Sequence, residues 1–302
     1  MNPKSLLKPR PRPQARLSTE AVNIHHFDSE ATGYDEQFGL SVVQSRARVR
    51  FILHNTARPI VVGHALDLGC GTGNLSAAIV LEGAATTCTG FDISPGMLEV
   101  ARRKTQAIDG CVFRVGSATA LPFDAGSFDL CVGDAFLHHI LDIGSCLKEV
   151  SRVLRPGGVA TFNEPNAQGY ALFEFVLRSL ATAKGWRDRA LDNYLAFLAF
   201  VREHQGDLAA LEAYPLPDKH VFSSERIRAA AFDSGFSATS CVPAMDPSPT
   251  LWHDAFRFVL DAVKPSSEIR AMALQAADLL DLTLGEEARR HFCLHNQFYL
   301  YK

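Results

Sequence analysis

Cysteine pairs, one-sided charge and long apolar runs are all missing from this chain of 302 residues, and each absence narrows its class. The 30 basic and 33 acidic side chains leave a net charge of −3, which provides no field for holding nucleic acid. No stretch reaches the ~18 apolar residues that span a bilayer, so no membrane span is expected. The seven cysteines are odd in number, scattered and without a CxxC pair. With an opening stretch that has no signal-peptide pattern, they predict reduced thiols in a cytoplasmic protein. No internal repeat is apparent.

What is present is ordinary for a globular chain, 47% hydrophobic and 21% charged, in a length that suits one large α/β domain or two small ones. The informative stretch is residues 65–94. Ala65-Leu66-Asp67-Leu68 is a short apolar run that breaks into Gly69-Cys70-Gly71-Thr72-Gly73-Asn74, and the helical pattern Leu75, Ala78, Ile79 follows. A buried strand, a glycine turn and a helix start together form an anion and dipole receptor. Backbone comes close where there is no side chain, and the helix N-terminus presents free N–H groups. A second apolar strand, 86–91, ends in Asp92, 19 residues after Gly73, where a nucleotide-binding fold grips the ribose hydroxyls.

Two ligand classes compete for this layout. A dinucleotide turn is written G-x-G-x-x-G, because a pyrophosphate must sit against the helix N-terminus. Here Asp67 precedes evenly spaced Gly69, Gly71 and Gly73. A carboxylate there repels a pyrophosphate but suits an amino-acid ammonium. The pattern therefore points away from NAD and toward S-adenosyl-L-methionine, whose sulfonium is also positive.

The likeness extends beyond one loop. The segments DLGCGTG (67–73), FDIS with PGML after it (91–98), ALPFDAGSFDLCV (120–132), FLHHI (136–140) and LKEVSRVLRPGGVATFNEPN (147–166) follow in order. On these, residues 65–166 resemble the class I S-adenosylmethionine-dependent methyltransferases, in the small-molecule group related to ubiquinone/menaquinone C-methyltransferases. FDSEATGYDEQF (27–38) looks like that group's N-terminal signature.

The resemblance implies an α/β, Rossmann-like fold with a seven-stranded, mainly parallel sheet of order 3-2-1-4-5-7-6. The last strand is antiparallel, and helices lie on both faces. It also implies donor contacts at Tyr34, Asp67, Gly69, Cys70 and Gly71, at Asp92, Ile93 and Met97, and at Ser117, Ala118, Asp134 and Ala135. For Tyr34 a tyrosine that merely packs helices is the alternative. The family usually has an acid after the glycine of its third nucleotide motif; here Gly116 is followed by Ser117, a departure that bears on the adenine contact. The missing cysteine pair argues against an arsenic-methylating or zinc-bound variant, and no metal is expected.

The remaining chain supplies the surroundings. Residues 1–20 are basic and proline-rich and predict a disordered tail, a solvated one or an arm for nucleic acid or membrane. His25-His26 are too close in sequence to chelate one metal from a strand or helix. A helix is expected over 41–55, others over 95–107 and 143–154, and strands over 111–115, 129–133 and 159–162. Open α/β sheets bind ligands at the carboxyl ends of strands beside the switch in strand order, which gathers Gly69, Asp92 and Asp134.

His139 follows the fourth strand and either faces the acceptor or caps and packs a helix. Glu164 ends the fifth strand, either facing substrate or stabilising a turn. As an acid–base pair, the carboxylate would orient the ring and raise its pKa.

Residues 167–221 carry helical stripes apolar on nearly all sides, which something must cover. The expected division is 21–166 with 222–302 as the donor-binding domain and 167–221 as an inserted helical cap over the acceptor site. A homodimer contact through these helices is the rival. A second helical insertion, 251–290, precedes a final strand at 297–301.

The whole reading is an enzyme moving methyl to a small, fairly apolar acceptor by in-line displacement on an O, N or C nucleophile, leaving S-adenosyl-L-homocysteine. The rivals are a regulatory or assembly subunit that binds the donor without catalysis, and a nicotinamide oxidoreductase, which the even glycine spacing disfavours.

Overall fold

The computed structural model describes residues 18–37, 41–57, 62–214, 216–244 and 251–302. Most of the proline-rich tail, residues 1–17, lies outside them. The expected tail boundary moves, because Ser18–Glu20 are already the start of a helix. That helix, α1 (Thr19–Glu30), opens where the Ser18 side chain accepts from the Ala21 N–H at 3.2 Å.

The strands are β1 (His64–Leu68), β2 (Thr87–Asp92), β3 (Cys111–Val115), β4 (Phe128–Asp134), β5 (Leu154–Pro165), β6 (Ala238–Pro243) and β7 (His295–Tyr301). They form one sheet in the expected order β3-β2-β1-β4-β5-β7-β6. The first five run parallel, and β7 lies antiparallel between β5 and β6. Strand order reverses at β1, which pairs with β2 on one side and β4 on the other.

Alternating side chains on buried strands build two apolar layers. Leu66, Leu68 and Cys131 face a core completed by α6 (Ile143–Val153) and α10 (Ser224–Asp233). Ala65, Leu130 and Val132 face the opposite one, with Val49 and Ile52 of α3 (Val42–His54) and Leu75, Ala78 and Ile79 of α4 (Asn74–Leu81). Helices therefore lie on both faces. The start of α3 carries a reciprocal cap between Ser41 and Gln44.

β5 begins earlier than its apolar run suggests. Leu154 pairs with Phe128, the register shifts across Arg155–Gly158, and pairing resumes at Val159 with Leu130. Gly157, at φ +82°, turns the chain within this segment, and its N–H donates to the Lys302 carbonyl.

The two helical insertions cover each other. The first comprises α7 (Ala167–Lys184), α8 (Arg189–Glu203) and α9 (Leu208–Ala213); the second comprises α11 (Leu251–Val263), α12 (Ser267–Thr283) and α13 (Glu286–His291). Phe173, Leu177, Leu191, Leu195 and Leu198 share one core with Trp252, Phe256, Ile269 and Ala273. Phe173 and Phe256 meet edge-to-face at 4.5 Å between ring centres. Asp188 ties the pieces together, capping α8 and accepting from the Ser266 N–H at 2.9 Å. Among the described residues, no helix is long and apolar enough to cross a membrane. All seven cysteines are free thiols.

Candidate functional site

At the carboxyl ends of β1, β2 and β4 lies a cavity of about 310 Å³. Its floor is the turn after β1, where Gly69, Gly71 and Gly73 all have positive φ (+64°, +51° and +81°). At two of them the geometry demands glycine for different reasons. A Cβ on Gly69 would stand 2.4 Å from the Phe136 ring, whereas one on Gly71 would meet nothing within 4 Å. Gly71 lines the cavity, so its bare backbone is presented to whatever fills that space.

The Asp92 carboxylate accepts the Gly71 N–H through Oδ2 and the Ser94 N–H through Oδ1, both at 2.9 Å. Burial pushes its pKa up against those two bonds. Asp134, at the end of β4, accepts from Asn163 Nδ2 at 2.6 Å and lies 3.4 Å from Arg48 Nη2. The next residue, Ala135, is held at φ +53° by an N–H bond to the Asn163 carbonyl. A non-glycine residue in that region is strained, and here the strain sits on the cavity wall.

The roof comes from the N-terminal segment. Asp28 accepts the Gly96 N–H at 2.9 Å and also bonds the Ser94 hydroxyl, docking α1 on the start of α5 (Pro95–Thr105). Asp35 of α2 (Tyr34–Gln37) clasps Lys104, Thr72 and Asn74. Between these clasps Tyr34 faces the cavity, its hydroxyl pKa pushed up to about 12 by burial first and then by the acids around it, chiefly Asp92. Asn23 Nδ2 donates to the His139 carbonyl at 3.0 Å. Glu20 reaches down from α1 to accept the Ser117 hydroxyl.

The structure thus brings Tyr34, Gly69, Gly71, Asp92, Ile93 and Met97 to one cavity, with Ser117, Ala118, Asp134, Ala135 and His139. Three expected site residues are not on its wall. Asp67 is buried beneath the turn, accepting from Ser76 Oγ at 2.5 Å, because its side chain points toward α4. Burial pushes its pKa up to about 7; the Ser76 bond opposes this, and Asp134 and Asp92 add to it. Cys70 packs with Leu98, Ala101 and Phe113, and burial raises its thiol pKa.

Glu164 is the third, and the expected pairing with His139 is corrected. With 0% exposure, its carboxylate accepts the N–H groups of Phe136, Leu137 and His138 and lies 2.7 Å from His138 Nδ1. The three-residue 3-10 turn Leu137–His139 sets the two rings 4.0 Å apart at 47°, and it is the Nδ1 of the first histidine that meets the strand-end carboxylate. His139 stands against Phe27, 5.2 Å between ring centres, and its Nδ1 lies 3.2 Å from Asp218 Oδ1. Burial, with the neighbouring His138, holds the His139 pKa below the usual range. For His138, burial works the same way, but Glu164 overcomes it and the pKa is raised.

Glu20, Asn23, Phe27, His138 and Asp218 escaped the sequence reading. Only the tertiary contacts across α1 and the 3-10 turn reveal them, although FLHHI offered His138 beside His139.

The comparisons agree with this geometry. A family model described as a methyltransferase domain matches residues 66–162. A demethylmenaquinone methyltransferase of Clavibacter sepedonicus is 34% identical over 154 residues, covering 49% of this chain and 62% of the relative. Another, from Staphylococcus epidermidis, is 38% identical over 111 residues, covering 36% of this chain and 46% of the relative. The chain therefore spans less than two thirds of the length of these curated relatives. Among solved structures, phosphoethanolamine N-methyltransferase 2 of Haemonchus contortus, in complex with S-adenosyl-L-methionine, shares the fold. It superposes with a TM-score of 0.58 at 17% identity, over 97% of this chain and 62% of that one.

Proposed function

We propose that this chain, whose residues 66–162 are a class I methyltransferase domain related to those of quinone methyltransferases, transfers methyl from S-adenosyl-L-methionine to a small, fairly apolar organic acceptor. The observation that carries the reading is the Asp92–Gly71 cradle at the strand-order switch. A carboxylate accepting two backbone N–H groups stands beside a glycine whose side-chain space is open to the cavity. The residues fit the donor. Asp92 offers acceptors for a ribose diol, Ser117 with Glu20 offers polar groups for adenine, and Tyr34 with Asp134 walls the far end. Buried Asp67 and Asp92, with half-buried Asp134 beside them, favour a ligand bearing positive charge.

The sulfonium methyl supplies the electrophile when the donor is bound. The chain's own part is to align the acceptor and exclude water, and positioning alone lowers such barriers by about 7–11 kcal/mol. We place the acceptor against Phe27, His139 and Ile140–Asp142, the apolar and aromatic side of the cavity. His139 is the catalytic residue of this reading, a neutral ring able to take a proton from a hydroxyl or carbon acid. Glu164 lies off the wall of this cavity and is a positioning residue, acting through His138. The segment 167–221 serves as cap, a role supported by Glu212 on the cavity wall and Asp218 against His139.

A cytoplasmic setting and an acceptor that is not a nucleic acid remain part of this reading, supported by the free thiols and the small net charge. A homodimer through the insertions is supported by exposed Phe175, Phe258 and Leu282. The test is to incubate purified protein with S-adenosyl-L-homocysteine and a metabolite extract and identify what it retains by mass spectrometry, then assay that compound for turnover. Donor consumption with a product heavier by one methylene supports the reading. Donor binding without turnover of any retained compound supports a non-catalytic subunit, and a thermal shift with NAD but not S-adenosyl-L-homocysteine refutes the donor assignment.

A further inference from the structure

The turn after β4 aims two neighbouring imidazoles at a single carboxylate. His138 Nε2 lies 3.8 Å and His139 Nδ1 3.2 Å from Asp218 Oδ1, and one ligand atom from each of the three residues falls within 4.8 Å of the others. Two ligands each about 2.1 Å from a tetrahedral ion are about 3.4 Å apart, so the two distances to Asp218 bracket what a shared ion needs. Neighbouring histidines on a regular helix or strand diverge; on a 3-10 turn these two converge.

Three independent features point to a ligand there. Glu164 Oε2, 2.7 Å from His138 Nδ1, sets the tautomer that leaves Nε2 bare toward Asp218. A carboxylate behind an imidazole in this way is the usual outer support of a metal-bound histidine. His139 Nδ1 is buried, and its near neighbour Asp218 Oδ1, at 3.2 Å, is too poorly aligned for a good hydrogen bond. Asp218, with 45% of its side chain exposed, leaves an entry path from solvent. Charge also balances, since Asp218 and the fully buried Glu164 together offset a dication.

We propose that His138 Nε2, His139 Nδ1 and Asp218 bind a divalent first-row transition-metal ion, with Glu164 as its outer-shell support. Two imidazoles and one carboxylate suit zinc, iron(II) or manganese, and they leave coordination positions for an added ligand. Because His139 lines the cavity, an ion held there stands beside the acceptor wall and can take an acceptor's oxygen as a further ligand. In the metal-free chain His139 stays the neutral base described above; with the ion bound, its Nδ1 is committed to the metal. The ion site itself stands without the methyl-transfer reading; only the acceptor as its added ligand rests on that reading.

The test titrates chelator-treated full-length protein with Zn²⁺ and, separately, Mn²⁺ by calorimetry, with metal counted by mass spectrometry after gel filtration. One ion per chain is expected for at least one of the two metals. Affinity should fall at least about 100-fold in His139→Ala and in Asp218→Asn, and about 10- to 100-fold in Glu164→Gln. Circular dichroism verifies folding, and the partly exposed Asp218 keeps the test valid if a buried variant unfolds. No bound ion in folded wild type, or unchanged affinity in both His139→Ala and Asp218→Asn, overturns the site. Binding of S-adenosyl-L-homocysteine by the same metal-free sample is measured in parallel, so loss of the metal site and loss of the donor reading are told apart.

Discussion

Asp92 accepts a hydrogen bond from the Gly71 N–H at 2.9 Å, joining the end of β2 to the turn after β1 across the switch in strand order. The contact fixes the carboxylate in the cavity wall, and a second bond from the Ser94 N–H fixes its other oxygen. If this carboxylate also accepts the ribose hydroxyls, Asp92→Ala should weaken S-adenosyl-L-homocysteine binding by about 2–4 kcal/mol, or roughly 30- to 1000-fold. Gly71→Val should do comparable damage, since φ is +51° there and its side chain would enter the cavity. Calorimetry showing normal affinity in both variants would remove the donor from this place.

Glu20 and Ser117 make a sharper prediction about the adenine end. Glu20→Gln should weaken donor-product binding about 10- to 150-fold, as expected for one hydrogen bond to a charged group. It should also erase discrimination against the analogue in which hypoxanthine replaces adenine. Equal discrimination in wild type and variant would reduce Glu20 to a structural tie between α1 and the sheet.

Asp67 predicts a proton released on binding. Its carboxyl, pushed up to about 7 by burial, is partly protonated at neutral pH, and a cationic ligand nearby favours the ionised form. Binding of S-adenosyl-L-methionine near pH 7 should therefore release protons, and the sulfur-neutral product should release fewer. Calorimetry in buffers of different ionisation enthalpy reads this directly.

The same group sets a stability slope. The folded state holds this proton more tightly than the unfolded chain, whose aspartate pKa is about 3.9, so Asp67 lowers stability as pH rises from about 4 to 7. Asp67→Asn should flatten that slope in denaturant unfolding, and an unchanged slope would place the titration elsewhere.

His139 and Glu164 divide their roles in a way kinetics can separate. With the His139 pKa held low, the free base predominates at neutral pH, so turnover should rise with pH below about 6.5 and level off above it. His139→Ala should lower kcat about 10²–10⁴-fold with little change in donor affinity. Glu164→Gln should act through His138, lowering kcat less and moving the acidic limb of the profile. A flat profile from about 5 to 9 in wild type would leave alignment as the protein's whole contribution.

Phe256 tests the shared core of the insertions. It is fully buried against Phe173 and Trp252, so Phe256→Ala should cost about 3–5 kcal/mol. Hydrogen exchange should show the loss concentrated in α7, α8, α11 and α12, with the sheet and donor affinity nearly unchanged. A uniform loss across the sheet would make the insertions part of one cooperative unit.

The floor of the cavity was written in the sequence because its signals are local, whereas the order of the sheet came with the family likeness. Strand, glycine turn and helix start each occupy consecutive residues, so Gly69, Gly71 and Asp92 could be read from spacing and residue type alone. Parallel pairing then carried them to one edge, as strand order at a switch requires.

What tertiary structure decided was every contact between segments distant in the chain. Glu20 reaches Ser117 across 97 residues, and the two helical insertions share one core. The exchange of His139 for His138 as the partner of Glu164 turned on the pitch of a three-residue turn. Residue types and periods fix which faces are apolar and where backbone can bend. Which polar atoms meet is settled only when the packed elements set side-chain directions to within an ångström, and that depends on the whole fold at once.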